Sequence, residues 1–266
     1  ETVIEERTEE LLATKAENAR IAAELDVAAK IQSGMLPKEF DSVSEKGKLS
    51  VYATMNPARE VGGDFYDCFK IDDDHVAFVI ADVSGKGVPA ALFMVTVKTL
   101  IKTKAKNSYS PMEVLQDTNK EISETNEEDM FVTAFLGVLE LSTGKFVCAN
   151  AGHNPPLRFY PDERVEYLQT ETNFILAGIP GVPFTENEYQ LEPGERFLLY
   201  TDGVTEAMNE KQEFFGEEQL LEKMKVPEVR TLETEELVKY LDMELRDFSA
   251  GAEQADDITI LVFQYK

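Results

Sequence analysis

Phe78-Val79-Ile80-Ala81-Asp82-Val83-Ser84-Gly85-Lys86-Gly87 and Phe197-Leu198-Leu199-Tyr200-Thr201-Asp202-Gly203 read the same way: an apolar strand that ends on Asp and turns at Gly. Two more Asp-rich spots flank them, Gly62-Gly63-Asp64-Phe65-Tyr66-Asp67 and Asp256-Asp257-Ile258-Thr259. A single Asp at a strand end is most simply a turn former, because its carboxylate accepts local backbone hydrogen bonds. Four such positions, two in near-duplicate settings, point instead to strands that deliver Asp64, Asp82, Asp202 and Asp256 to one rim. Two carboxylates about 5 Å apart repel by about 3 kcal/mol at an effective dielectric near 20. Four gathered together need a cation. Oxygen donors select hard ions, Mg²⁺ or Mn²⁺. With two His and two Cys in the chain, a zinc site is disfavoured.

The composition sets bounds on this reading. The chain has 266 residues, enough for one large domain or one domain with an appendage. Its net charge is −25; residues 1–40 hold nine acidic and five basic residues, so −21 falls on the rest. Such a field repels phosphate backbones and argues against nucleic-acid and anionic-membrane partners. Cys68 and Cys148 are far apart and lack C-x-x-C spacing, as expected of small core residues in a reduced, cytoplasmic protein. No apolar run approaches a membrane span, and no signal peptide is present. The chain begins at Glu1 inside a helical pattern, so we expect a fragment of a longer protein.

Residues 1–36 are rich in Glu, Ala, Lys and Leu and contain no Pro. Ile4, Leu11, Asn18 and Leu25 recur every seven residues, with Ile21 and Ala28 on the companion seam. Arg7 and Thr14 interrupt that seam. This predicts a coiled-coil helix, in which Asn18 favours a parallel homodimer; a helix packed on its own domain fits the pattern equally well. Pro37 ends the helix. Strands are predicted at Leu49–Thr54, His75–Ala81, Phe131–Leu139, Lys145–Ala149, Arg196–Thr201 and Ile258–Gln264. One helix should follow Pro89, with Ala90, Met94, Val97 and Ile101 on one face. A second starts at Ser110, with Pro111 first and Glu113 closing a capping box. A third covers Thr234–Phe248, with Val238, Leu241, Leu245 and Phe248 inward. Strands and helices do not alternate strictly, so the class is α+β. We divide the chain into a helical linker, residues 1–40, and a catalytic domain, residues 41–266.

Seven segments then occur in a telling order: AAKIQSGMLP, REVGGDFYD, ADVSGKGVPAAL, ANAGHNPP, LYTDGVTEAMN, FFG and DDIT. From about residue 27 onward the chain resembles the SpoIIE-like (RsbU-like) branch of the PPM (PP2C-type) serine/threonine phosphatases. The resemblance implies a four-layer α-β-β-α sandwich with two Mn²⁺ or Mg²⁺ ions between the sheets. Carried over, Asp82 bridges both ions and the Val83 carbonyl is a further ligand. Asp202 and Asp256 hold the second ion, and Asp64 reaches the cluster directly or through water; Asp257 is the weaker candidate. A water activated by two ions would attack the phosphorus in line. Arg59 is a candidate phosphate contact. His153 is expected to orient a loop, and His75, after Asp72-Asp73-Asp74, to sit in a surface turn. The glycines Gly62, Gly63, Gly85 and Gly87 are expected to let the Asp64 and Asp82 loops turn tightly.

The resemblance further implies a phosphorylated regulatory protein as substrate, a STAS-type anti-sigma-factor antagonist, and control through the N-terminal helix by an upstream sensor absent from this fragment. That sensor would be the part able to anchor the parent protein at a membrane. The rival reading is a non-catalytic dimerising signalling module that binds a partner; it expects a missing acidic ligand, and none is missing. GGDFYD also resembles the GGDEF signature of diguanylate cyclases, but Phe65 stands where those enzymes carry Glu.

Overall fold

A computed structural model describes residues 2–44 and 47–266. In chain order the elements are α1 (Thr2–Met35), β1 (Leu49–Asn56), β2 (Phe65–Lys70), β3 (His75–Val83), α2 (Val88–Ala105), α3 (Pro111–Glu124), β4 (Val132–Glu140), β5 (Lys145–Ala151), β6 (Leu157–Phe159), β7 (Val165–Tyr167), β8 (Thr172–Asn173), β9 (Asn187–Gln190), β10 (Arg196–Tyr200), α4 (Asp202–Thr205), α5 (Gly216–Met224), α6 (Pro227–Arg230), α7 (Thr234–Ser249) and β11 (Ile258–Tyr265). One sheet runs β1-β11-β10-β6-β7; the other runs β2-β3-β4-β5-β8, with β9 also on β5.

The two sheets meet through an aromatic seam. Phe78 of β3 stacks on Phe263 of β11 at 4.0 Å between centroids, and Phe263 stacks on Phe197 of β10 at 4.9 Å. Alternation along the strands explains why β10 and β11 read as continuous apolar runs. Phe197, Leu199, Leu261 and Phe263 join the core shared with the other sheet. Leu198, Tyr200, Ile260 and Val262 face the opposite way, onto Leu237, Val238, Leu241 and Leu245 of α7. Helices α2 and α3 lie against the second sheet through Met94, Val97, Ile101, Leu115 and Ile122. The six strands read from the sequence are all present within two residues at each end, as is the Thr234–Phe248 helix; helices begin where expected at Pro89 and Ser110, and α1 stops at Met35, just before Pro37.

The chain's antiparallel pairings bring the acidic motifs together. β2 pairs antiparallel with β3, Phe65 opposite Ala81, so the start of β2 lies beside the end of β3. β11 pairs antiparallel with β10, Tyr200 opposite Ile260, so the start of β11 lies beside the end of β10. Asp64, Asp82, Asp202 and Asp256 are therefore strand-end residues at one rim of the sheet pair.

Two local expectations need correction. Ser110 does cap α3, accepting from the Glu113 N–H at 3.2 Å, but Glu113 does not close the box. Its carboxylate takes the Ser108 hydroxyl at 2.7 Å instead, and the Ser110 N–H goes to Ser108 Oγ. A complete capping box sits instead on α7, between Glu233 and Glu236. Helix α1 does not pack on its own domain along most of its length: the described side chains from Arg7 to Glu24 are exposed, Leu11, Leu12 and Ile21 among them. Contact begins at Leu25 and Ala28, and Gln32, Leu36 and Phe40 are buried. The side chain of Ile4 lies outside the described residues.

Candidate metal centre

The carboxyl of Asp64 is fully enclosed. Its Oδ2 accepts from Thr201 Oγ1 at 2.7 Å and from Thr259 Oγ1 at 2.6 Å, one residue from each end of the β10–β11 pair. Burial holds its pKa well above the usual range, the neighbouring Asp82 adds to this, and the two threonine hydrogen bonds oppose it. Asp82 is pushed up to about 7 by burial and then by Asp202 and Asp256, against a hydrogen bond with Asp64. Asp202 is pushed up to about 6 by burial, Glu206 and Asp256, against the Gly203 N–H and Lys86. The carboxylates that the sequence marks thus feel one another directly.

Asp257 plays a different part from Asp256. Its Oδ1 accepts from the Ala58 N–H at 2.8 Å; its Oδ2 accepts from the N–H groups of Gly63 at 2.8 Å and Asp64 at 3.4 Å. It is a staple between the start of β11 and the loop that carries Asp64. Gly62 and Gly63 serve close approach rather than a special turn angle. A Cβ on Gly62 would lie 2.1 Å from Asp257 Oδ2, and one on Gly63 would lie 2.6 Å from the Val83 carbonyl oxygen. The Val83 carbonyl therefore opens onto the Asp64 loop.

Other sequence-marked residues fall around this centre. Arg59 is exposed and makes no ion pair among the described residues. His153 is buried, its Nδ1 2.8 Å from Thr133 Oγ1, and Thr133 stands opposite Asp82 in the β3–β4 register. Burial pushes its pKa down to about 4, so the ring is neutral at physiological pH. Asn150 clamps its backbone on both sides, accepting from the His153 N–H at 2.8 Å and donating to its carbonyl at 3.0 Å. His75 lies at the far end of β3, in a turn where Asp72 Oδ1 accepts from the N–H groups of Asp74 and His75, both at 2.8 Å. Cys68 and Cys148 are buried and unpaired, and burial raises both thiols.

Four participants escaped the sequence reading. Thr201 and Thr259 hold Asp64 from positions adjoining two of the acidic motifs. Gln32, inside AAKIQSGMLP, grips Gly62: its Nε2 donates to the Gly62 carbonyl at 2.6 Å and its Oε1 accepts from the Gly62 N–H at 3.1 Å. Lys86 places its ammonium 2.8 Å from Asp256 Oδ2.

The oxygen donors, carboxylates and the Val83 carbonyl, are of the type that fits a hard divalent ion, and the Lys86 ammonium stands as a counter-cation on Asp256. Among the described residues, no three acidic, imidazole or thiol groups are arranged to close on one point. Asp256 is turned to Lys86, and Asp64 to its two threonines. Beside Asp256 opens a cleft of about 470 Å³ lined by Asn56, Glu206, Asp242, Arg246 and Gln254.

Raised carboxyl pKa values have a consequence for stability in chelator. Asp82 and Asp202 bind protons more tightly folded than unfolded, so their contribution is full below about pH 4 and is lost as pH rises through about 6 to 7. Thermal melts in EDTA should fall in midpoint over that window, and Mn²⁺ should reverse the fall. A midpoint that rises with pH there would contradict the packing of these groups.

Comparison with known proteins places this geometry. A model of the family described as Stage II sporulation protein E (SpoIIE) matches residues 72–266. Protein IcfG of Synechocystis is 29% identical over 283 residues, spanning 94% of this chain and 43% of that protein. Phosphoserine phosphatase RsbU of Bacillus subtilis is 29% identical over 250 residues, spanning 92% of this chain and 71% of that protein. This chain thus spans less than half of IcfG. The SiaA-PP2C domain of Pseudomonas aeruginosa superposes with a TM-score of 0.83 at 23% identity, covering 94% of this chain and 99% of that one. The catalytic domain of the serine/threonine phosphatase PstP, solved with 2 manganese ions, superposes at 0.59 and 16% identity over 82% of this chain and 98% of that one. The chain belongs to the family described as Stage II sporulation protein E (SpoIIE).

Proposed function

We propose that this chain hydrolyses phosphoserine or phosphothreonine on a regulatory protein of the STAS anti-sigma-factor-antagonist type, with two Mn²⁺ or Mg²⁺ ions held at the acidic rim. The observation that carries this reading is that Asp64, Asp82, Asp202 and Asp256 lie at one rim near enough to interact, with Asp82 raised to about 7 by burial and its neighbours. Asp82 and the Val83 carbonyl would hold ions on the β3 side, Asp202 and Asp256 on the β10–β11 side, and Asp64 would complete the set. When bound, such ions lower the pKa of water and neutralise phosphoryl oxygens. The protein supplies the rest. Asp257, Thr201 and Thr259 fix the Asp64 loop, and the exposed Arg59 guanidinium is available to a phosphoryl oxygen. The cleft beside Asp256 gives a phosphorylated segment a way in. The layering of α7 outside one sheet and α2–α3 outside the other supports the four-layer α-β-β-α reading.

In the same reading, residues 1–40 control residues 41–266. The exposed apolar seam of α1 pairs with a second copy, and the buried end of α1 touches the Asp64 loop through Gln32 and Gly62. A shift in α1 thereby biases the loop, a population-shift device. Gln32→Leu keeps the side-chain volume but removes both hydrogen bonds; the Mn²⁺ needed for half-maximal turnover should move by about threefold or more. An unmoved Mn²⁺ requirement would uncouple α1 from the centre. The test of the function is a Mn²⁺-titrated assay on p-nitrophenyl phosphate and on a phosphoserine-bearing STAS-type protein. Metal-dependent release of phosphate from both is expected. Binding of the phosphoprotein without turnover at any Mn²⁺ concentration would favour the non-catalytic module.

A further inference from the structure

Lys86 lies four residues beyond Asp82, in the loop that follows β3, between Gly85 and Gly87, whose φ angles are +88° and +80°. The loop is pinned by the Ser84 N–H on the Phe131 carbonyl and by Ser84 Oγ accepting from the Phe131 N–H, both at 2.9 Å. From that anchored position the Lys86 side chain crosses to the loop before β11. Its Nζ donates to the Ala255 carbonyl at 2.6 Å and pairs with Asp256 Oδ2 at 2.8 Å. The other oxygen, Asp256 Oδ1, accepts from the Asp257 N–H at 2.9 Å. Both oxygens of Asp256 are therefore engaged, one by a backbone donor and the other by a side chain on a flexible stem.

We propose that Lys86 is the exchangeable counter-cation of the Asp256 subsite, a positioning residue that sets how much divalent ion the second subsite needs. An ammonium and a divalent ion held on the same carboxylate oxygen repel each other. An ion taken up at Asp256 Oδ2 therefore competes with Lys86, and its apparent affinity is lowered by the strength of the pair it weakens. Lys86 and Asp256 are both more than a third exposed, so that strength is modest and the exchange is within reach of ordinary ion concentrations. The loop that follows Asp82 and Val83 at the end of β3 thus also carries the competitor for the opposite side of the centre.

The proposal rests on the reading of the acidic rim as a metal centre, and the test separates the two. Calorimetric titration of Mn²⁺ into chelator-stripped protein reads binding without turnover. With Lys86→Met or Lys86→Gln, the weaker of two Mn²⁺ events should tighten by about threefold to tenfold, while the tighter event is unchanged. Lys86→Arg keeps the charge and should bind like the parent protein. In the Asp256→Asn background, Lys86→Met should change nothing, since the pair is already gone. Neutralising Arg59 as Arg59→Met, a rim cation without a contact on Asp256, should have a smaller effect. Unchanged or weaker Mn²⁺ binding in both Lys86→Met and Lys86→Gln would overturn the role of Lys86 while leaving the metal centre intact. Absence of Mn²⁺ binding to the parent protein would overturn both.

Discussion

Asp82→Asn should lose metal-dependent phosphatase turnover by about 10³-fold or more while the protein stays folded. Asn keeps the size of the side chain and one carbonyl oxygen, but it removes the charge that a bridging position needs. The same change relieves the metal-free protein. Asp82 sits at the junction of Asp64, Asp202 and Asp256, and its pKa of about 7 reports the cost of ionising it there. In EDTA at pH 8 the variant should therefore melt at or above the parent midpoint. With saturating Mn²⁺ the order should reverse, because the parent gains binding energy that the variant has lost. Circular-dichroism melts with and without Mn²⁺, beside phosphate-release kinetics, check both halves. Full activity in the variant would remove Asp82 from the reaction.

Asp257→Ala should be lost for the opposite reason. Asp257 accepts from three backbone N–H groups and is buried. Its removal leaves the N–H groups of Ala58, Gly63 and Asp64 unsatisfied next to the centre. Hydrogen bonds to a charged acceptor contribute about 1.5–3 kcal/mol each, with strong overlap when one carboxylate takes several. We expect destabilisation of about 2–4 kcal/mol, a drop of about 5–10 °C in melting midpoint for a domain of this size. Activity should fall with it, and excess Mn²⁺ should not restore it, since the defect is in the Asp64 loop rather than in a ligand. The neighbouring Asp256→Asn should show the reverse: near-parent stability in chelator and weakened Mn²⁺ binding. Equal thermal stability of Asp257→Ala and the parent would contradict the staple.

The adjoining pair Asp256-Asp257 shows where the sequence was informative and where it stopped. Strand-end Asp in two near-duplicate contexts was legible, because apolar runs locate strands and a carboxylate after a run marks its rim. The division of labour between Asp256 and Asp257 depends on which backbone N–H groups approach from Ala58 to Asp64, nearly two hundred residues away. The same distance hid Thr201 and Thr259 as the partners of Asp64. β2 went unread because Phe65–Lys70 is buried on both faces and so lacks alternation; it stood out only as an acidic motif. Strands β6 to β9 are two to four residues long, too short for any period to register. At Ser110 the capping-box pattern was present, but Ser108 offered Glu113 a competing hydroxyl. For α1, the heptad spacing fits pairing and self-packing alike; Leu11 and Ile21 are exposed and do not pack on the rest of the chain. Lys86 carries no sequence signal for its contact with Asp256, 170 residues further along the chain.

The central claim is that the four carboxylates form a divalent-ion centre, and crystals of the whole chain soaked in Mn²⁺ test it most directly. Anomalous scattering at the manganese edge should give two peaks at the rim, with Asp82 touching both, Asp202 and Asp256 on one, and the Lys86 ammonium withdrawn from Asp256. Phosphatase activity in the same preparation, without a manganese peak in contact with Asp82, would contradict the account.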